Sequence, residues 1–197
     1  MHRMGPADFA LDYTFSHIRL GGDALLNTHS IRPNVGYLVA DDVYLLGNYE
    51  YMDRNYDTLN DRDADRHSGM IDAYYLLGSG QYLYASYELS RESAVGPEFT
   101  YWGNEVTVGV RKDLPLSGYM PEWRAQYRYR NRNYSNITPS IGEERSDKRH
   151  YVSTSLIFPL FDHFEFEAGY EFIGANSNLE TVDYNEHIVT GTMRWTY

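Results

Sequence analysis

Two-residue periodicity runs through almost all of this 197-residue chain, and it is cleanest at the end. Residues 187–197 read H-I-V-T-G-T-M-R-W-T-Y. Alternate positions put Val189, Gly191, Met193, Trp195 and Tyr197 on one side, and Ile188, Thr190, Thr192, Arg194 and Thr196 on the other. Successive side chains of an extended strand point to opposite faces, so this is a strand with an apolar face, closed by two large aromatics, and a polar face. The same pattern predicts strands over about 9–20, 31–39 and 45–54, then 69–77, 83–90 and 105–111, then 123–133, 152–160 and 164–172. In the first, Phe9, Leu11, Tyr13 and Phe15 oppose Ala10, Asp12, Thr14 and Ser16 until Gly21-Gly22-Asp23 interrupts. Pro33 removes a ladder donor from the second.

No apolar run approaches the roughly 18 residues that a spanning helix needs, and mean hydropathy is −0.58. A β-barrel stays open to such a chain, because its polar lumen face dilutes hydropathy. Tyrosine, at 20 residues, suits strands and the aromatic girdles of a membrane interface. A net charge of −11 excludes a nucleic-acid partner that would need a basic footprint. With no cysteine there is neither a disulfide framework nor a thiolate metal site. The chain does not open with a basic segment followed by an apolar one, as a signal peptide would.

Alternation alone also fits a soluble sandwich, with its apolar face inward. Two regularities favour a membrane barrel. Connections near Asp41, Gly78, Pro115 and Asp162 are short, while those after Tyr56, Glu92, Tyr134 and Asn176 are long and polar, as in outer-membrane barrels with short periplasmic turns. Aromatic residues also recur along the apolar face near strand ends. The expected fold is all-β, an antiparallel up-and-down transmembrane barrel of about ten strands, forming one domain over 1–197 with both termini periplasmic.

An internal repeat adds detail. Tyr49-Glu50-Tyr51-Met52-Asp53-Arg54-Asn55-Tyr56, ending at Arg66-His67, matches Tyr127-Arg128-Tyr129-Arg130-Asn131-Arg132-Asn133-Tyr134, ending at Arg149-His150. Echoes sit at Tyr170-Glu171-Phe172 and Asp183-Tyr184-Asn185-Glu186-His187. These motifs, with the closing R-W-T-Y, resemble the C-terminal outer-membrane barrels of tetratricopeptide-linked proteins, the surface lipoprotein assembly modifier group in particular. The last residues likewise resemble the terminal-strand signal read by the barrel assembly machinery, with Val189, Met193, Trp195 and Tyr197 as its apolar and aromatic positions. The resemblance implies a non-enzymatic translocation or export module or pore in the bacterial outer membrane; the alternatives are an anchoring or binding barrel with a plugged lumen, and a small barrel hydrolase with its site on the external rim. Its surroundings would be bilayer and lipopolysaccharide, and its cargo an exported lipoprotein or polysaccharide. Such barrels carry more strands and an upstream helical-repeat domain, neither of which is found within these residues.

Catalytic and cofactor signatures are absent: no G-x-S-x-G, H-E-x-x-H, P-loop or dinucleotide fingerprint occurs. His67, His150 and His187 recur at equivalent loop-to-strand junctions, which points to a repeated structural role. Asp61, Asp63 and Asp65 have calcium-loop spacing, but the turn glycine and closing glutamate are missing. Asp41-Asp42 sits in a short turn. Arg124, Arg128, Arg130 and Arg132 share the polar face of one strand and are the strongest functional candidates. They either line a pore for anionic cargo or neutralise Glu88, Glu92, Glu105, Glu165, Glu167 and Glu171 in a salt-bridged plug.

Overall fold

A computed structural model describes residues 2–4, 7–116, 120–161 and 163–196, with side chains from residue 7 onward. The strands are β1 (His2–Met4), β2 (Ala7–Leu20), β3 (Asp23–Ala40), β4 (Val43–Tyr56), β5 (Ala64–Gly78), β6 (Gln81–Ala94), β7 (Tyr101–Asp113), β8 (Glu122–Thr138), β9 (Glu143–Phe161), β10 (Phe164–Ser177) and β11 (Tyr184–Trp195). They form one sheet in chain order, β1 to β11, and every neighbouring pair is antiparallel. Ten long strands match the expected number. Among the described residues, however, β11 does not pair with β2, so the sheet is open where a closed barrel was expected.

Connections lie at two ends. The turn end holds Asp41-Asp42, Ser79-Gly80 and the link between β7 and β8. Residues 117–119 of that link and Asp162 of the next turn lie outside the described residues. The loop end carries three loops of one design, each with a short 3-10 turn: Asn60–Arg62, Pro97–Phe99 and Glu180–Val182. In each, a side chain just after the turn accepts from the backbone N–H that closes the preceding strand: Asp63 from Tyr56, Thr100 from Ala94, and Asp183 from Ser177. Asp65 instead accepts from the Tyr51 hydroxyl, so two of the three carboxylates with calcium-like spacing have structural partners.

Two expected boundaries are corrected. The break at Gly21-Gly22 is a two-residue hairpin, with φ of 63° and 102°, and β3 restarts at Asp23 rather than near residue 31. Two glycines with positive φ match the right-handed twist of the flanking strands, so the ladder resumes at once. The polar stretch after Tyr134 also stays extended, through Thr138 and back from Glu143, with Gly142 at φ 71° in the turn. Polarity was read there as loop, but both faces of an extended hairpin arm can be solvated. At Pro33 the ladder toward β4 skips Arg32 and Pro33, which accommodates the missing N–H.

The two faces of the sheet are inverted relative to a soluble protein. Strand positions with buried polar side chains, Ser30, Glu50, Ser68, Asp72, Ser90, Glu92 and Thr107, all share one face, and the few buried apolar ones, Ala64, Tyr101, Tyr134 and Ala175, lie there too. The opposite face is exposed and apolar, from Leu11 and Ile71 through Val106 and Val108 to Val189 at 81% exposure. A hollow of about 270 Å³ on the polar face is lined from six successive strands, β6 to β11, so the sheet curls with its polar side inward. The polar face is called inner below.

Close packing on the inner face depends on glycine at position 109. A Cβ there would lie 2.2 Å from Tyr84 Cε1 and 2.9 Å from the Ala125 carbonyl oxygen. On the outer face, a Cβ on Gly69 would meet nothing within 4 Å. Gly109→Ala is therefore expected to cost about 1–3 kcal/mol in urea unfolding, and Tyr84→Ala to recover only part of that, since the carbonyl remains. Gly69→Ala is expected to stay within about 0.5 kcal/mol.

Candidate functional site on the inner face

Alternation puts residues 122, 124, 126, 128, 130 and 132 of β8 on the inner face, and register sets what each meets. Glu105 lies opposite Arg130, and Thr107 opposite Arg128. Glu105 accepts from Arg130 at 2.6 Å and sits 3.4 Å from Arg128. Glu88 is directly opposite Glu105, a like-charge pair that would be unfavourable alone. Arg66 takes Glu88 from the other side, so the row alternates cation, anion, anion, cation. At the turn end, Glu122 bridges Arg111 at 2.7 Å and Arg124. Nearer the loop end, Glu92 takes Arg54 at 2.8 Å and the Tyr101 hydroxyl at 3.0 Å. Asp147 takes Arg145 through two nitrogens, at 2.6 and 2.8 Å, and the Ser177 hydroxyl at 2.7 Å. Arg32 reaches Glu50 at 2.8 Å beside Pro33.

All nine residues expected to line a lumen share this face: Arg124, Arg128, Arg130 and Arg132 on β8, Glu88 on β6, Glu105 on β7, and Glu165, Glu167 and Glu171 on β10. Of the expected carboxylate partners, only Glu105 pairs with the β8 arginines. Glu88 and Glu92 are taken by Arg66 and Arg54 from the strands on their other side, and Glu165 pairs with Arg194 at 3.2 Å. Among the described residues Glu167 and Glu171 make no ion pair; the inner-face residues opposite them on β9 are Ile157 and Ser153, across the sheet from β8. Arg132 and Arg149 also lack a carboxylate there and stack on aromatic rings instead, 4.7 Å from Tyr101 and 5.6 Å from Tyr184.

Sequence reasoning missed Arg32, Arg54, Arg66, Arg111 and Glu122. Arg54 and Arg66 stand in the repeat and Glu122 two residues before Arg124, but their ion partners are set by register across several strands rather than by spacing along the chain. On the outer face, Val189, Met193 and Trp195 are exposed, and Trp195 stacks on Phe164 with ring centroids 6.2 Å apart. Tyr197 lies outside the described residues. His67, His150 and His187 occupy equivalent outer positions, each accepting or sharing a hydrogen bond with a tyrosine of the preceding strand.

The family model for the surface lipoprotein assembly modifier matches residues 6–197, which takes in all ten long strands and the inner-face network. The chain belongs to the surface lipoprotein assembly modifier family. No individually curated protein matches it. The family's match thus covers both the repeated R-N-Y segments and the terminal strand, the two features on which the resemblance rested.

Burial decides how strongly each ion pair is felt. Glu92 is 11% exposed at its side chain and Arg54 23%, whereas Arg130 and Arg128, the partners of Glu105, are 35% and 40% exposed. Removing a partner costs most where water cannot replace it. Glu92→Gln is expected to lower unfolding stability by about 2–3 kcal/mol, and Glu105→Gln by about 1 kcal/mol. Adding salt should shrink the effect at Glu105 more than at Glu92 in the same urea titrations.

Proposed function

We propose that this chain forms the wall of a bacterial outer-membrane barrel that moves a lipoprotein toward the cell surface, without catalysing a reaction. The observation that carries this reading is the inversion of the faces: apolar residues outside and paired charges inside suit a sheet with lipid on one side and water on the other. In water, so much exposed apolar surface would drive association. The family's description, surface lipoprotein assembly, supplies the cargo class. In this reading the turn end and both termini are periplasmic, and the loop end faces outward. Val189, Met193, Trp195 and Tyr197 present the terminal strand to the assembly machinery from the periplasmic side, and the loop end lies in the leaflet that contains lipopolysaccharide.

The inner face is then a conduit wall rather than a solid plug. Most of its charges are already paired, yet among the described residues Arg132 and Arg149 make no ion pair, Asp147 beside them being taken by Arg145, and Arg128 and Arg130 share the single Glu105, so the strip between β8 and β9 keeps an excess of cations. Glu167 and Glu171 face the same space from β10. A surface with separated cationic and anionic strips can slide along a polar polypeptide without holding it at one point. Pairing of the β2 and β11 edges, with each other or with further strands, would enclose this wall.

Two measurements test the reading. Arg at Val106 or Val108 is expected to cost about 2–4 kcal/mol when folding is measured in lipid vesicles, while Arg at Ser155 on the inner face stays near neutral. Equal tolerance at both would remove the membrane assignment. In cells, losing the protein should abolish protease-accessible surface display of a partner lipoprotein while leaving its synthesis intact. Arg132→Glu with Arg149→Glu should reduce display in a barrel that remains folded, and unchanged display would exclude the conduit.

A further inference from the structure

The outer face carries one arrangement four times. In the hairpins β2–β3, β4–β5, β8–β9 and β10–β11, a tyrosine hydroxyl meets the Nδ1 of a histidine on the next strand. These pairs are Tyr13 with His29 at 2.8 Å, Tyr49 with His67, Tyr127 with His150 at 2.9 Å and Tyr170 with His187 at 2.9 Å. The aromatic two residues after each tyrosine lies against the same imidazole, with centroids 4.9, 5.1, 5.0 and 5.0 Å apart for Phe15, Tyr51, Tyr129 and Phe172. The remaining loop-end hairpin, β6–β7, substitutes an amide: the Tyr87 hydroxyl donates to Asn104 Oδ1 at 2.7 Å. Each of the five loop-end hairpins thus places a tyrosine-bound polar side chain at an equivalent position, stepped two residues toward the turn end from one hairpin to the next, the stagger that strands tilted to a barrel axis need to hold one height.

That level is where the outer face changes character. From His67 toward the turn end the outward residues are Gly69, Ile71 and Ala73; toward the loop end the next is Asp65. From His150 they are Val152 in one direction and Lys148 in the other, and from His187, Val189 and Asn185. Below the row, His67 to Tyr75 spans about nine residues, the length a tilted strand needs to cross the hydrocarbon layer. With each tyrosine donating to Nδ1, the neutral imidazole carries its proton on Nε2, for which the described residues offer no acceptor.

We infer that the Tyr–His row, completed by Tyr87 and Asn104, is a lipid-headgroup belt. It sets the depth of the sheet in the leaflet at the loop end, and its Nε2–H and amide donors meet phosphate and ester oxygens there. The inference rests on the membrane reading above. The tyrosine holds the imidazole by its inner nitrogen, and the second aromatic packs its ring, so the remaining donor is presented at a fixed height. Replacing the histidines by leucine would extend the apolar band by one outward row, about 5 Å along the membrane normal.

The chain has no cysteine, so single spin labels can be placed without background reactivity. Labels at Ala73→Cys, below the row, and Ser93→Cys, above it, would be read by oxygen and nickel-chelate accessibility. The full chain would be folded in phosphatidylcholine–phosphatidylglycerol vesicles, with folding verified by heat-modifiable gel migration. In the parent protein the Ala73 label should report hydrocarbon and the Ser93 label water. The quadruple His29→Leu, His67→Leu, His150→Leu, His187→Leu protein should sink the sheet about 2–5 Å toward its turn-end side, bringing the Ser93 label down to the interface and carrying the Ala73 label the same distance away from the loop-side boundary. The quadruple His→Asn protein, which repeats the side chain nature places at Asn104, should restore the parent depths. A water-exposed Ala73 label in the parent would defeat the membrane reading itself. Hydrocarbon at Ala73 with depths unmoved by leucine, or with asparagine behaving as leucine, would overturn the belt alone.

Discussion

The continuous antiparallel ladder is the constraint on which everything else depends. Because side chains alternate with a period of two, a slip of one residue between any two strands would carry that strand's charges to the apolar face and its apolar residues inward. Register in turn is set at the hairpins. Gly21-Gly22 and Ser79-Gly80 allow two-residue reversals, while the 3-10 loops return the chain at fixed offsets, held by Asp63, Thr100 and Asp183. The inner-face network and the outer tyrosine–histidine row both follow, since each pairs residues that only one register brings together.

A sheet of this kind has little hydrophobic core of its own. Among the described strand residues four apolar side chains are buried, and two of these, Tyr101 and Tyr134, are partners of Glu92 and Asp147. Backbone hydrogen bonds and charge pairs hold the inner side, and each contributes modestly where water can compete. The larger contribution must come from whatever covers the outer face, at about 25 cal/mol per Å² of apolar surface removed from water. The fold is therefore inseparable from its surroundings. The same residues that would aggregate in water become the stabilising face in lipid.

Strand existence and facing were legible from alternation alone, down to the shared face of Arg124 to Arg132 and the three glutamates of β10. What stayed hidden was what alternation does not encode. The polar arms at 23–30 and 135–149 were read as loops because solvated residues carry no apolar stripe to mark a strand. Ion partners were misassigned because pairing depends on register across several strands: Glu88 chooses Arg66, 22 residues away in sequence, over the β8 arginines. The recurring histidines were recognised as structural at three places, but His29 was missed inside a supposed loop. Asn104 was missed because an amide replaces the imidazole.

Among the described residues β11 has a partner on one side only, and β1 covers β2 just over Ala7–Phe9. An unpaired strand edge in hydrocarbon leaves a row of N–H and C=O groups without partners, each costing several kcal/mol. An even number of long strands makes β2 and β11 antiparallel, so they are competent to pair with each other or to flank an added even set. The inner residues of the two edge strands include the small Ala10, Thr14, Ser16, Thr190 and Thr192 between the charged Asp12, Glu186 and Arg194, while the ion pairs are densest from β3 to β9. Side chains thus bind the middle of the sheet most densely, with fewer such links at its margins, Arg194 to Glu165 and Asn34 to Asp12 on the inner face. The margins are accordingly where this wall can accept another strand with the least rearrangement.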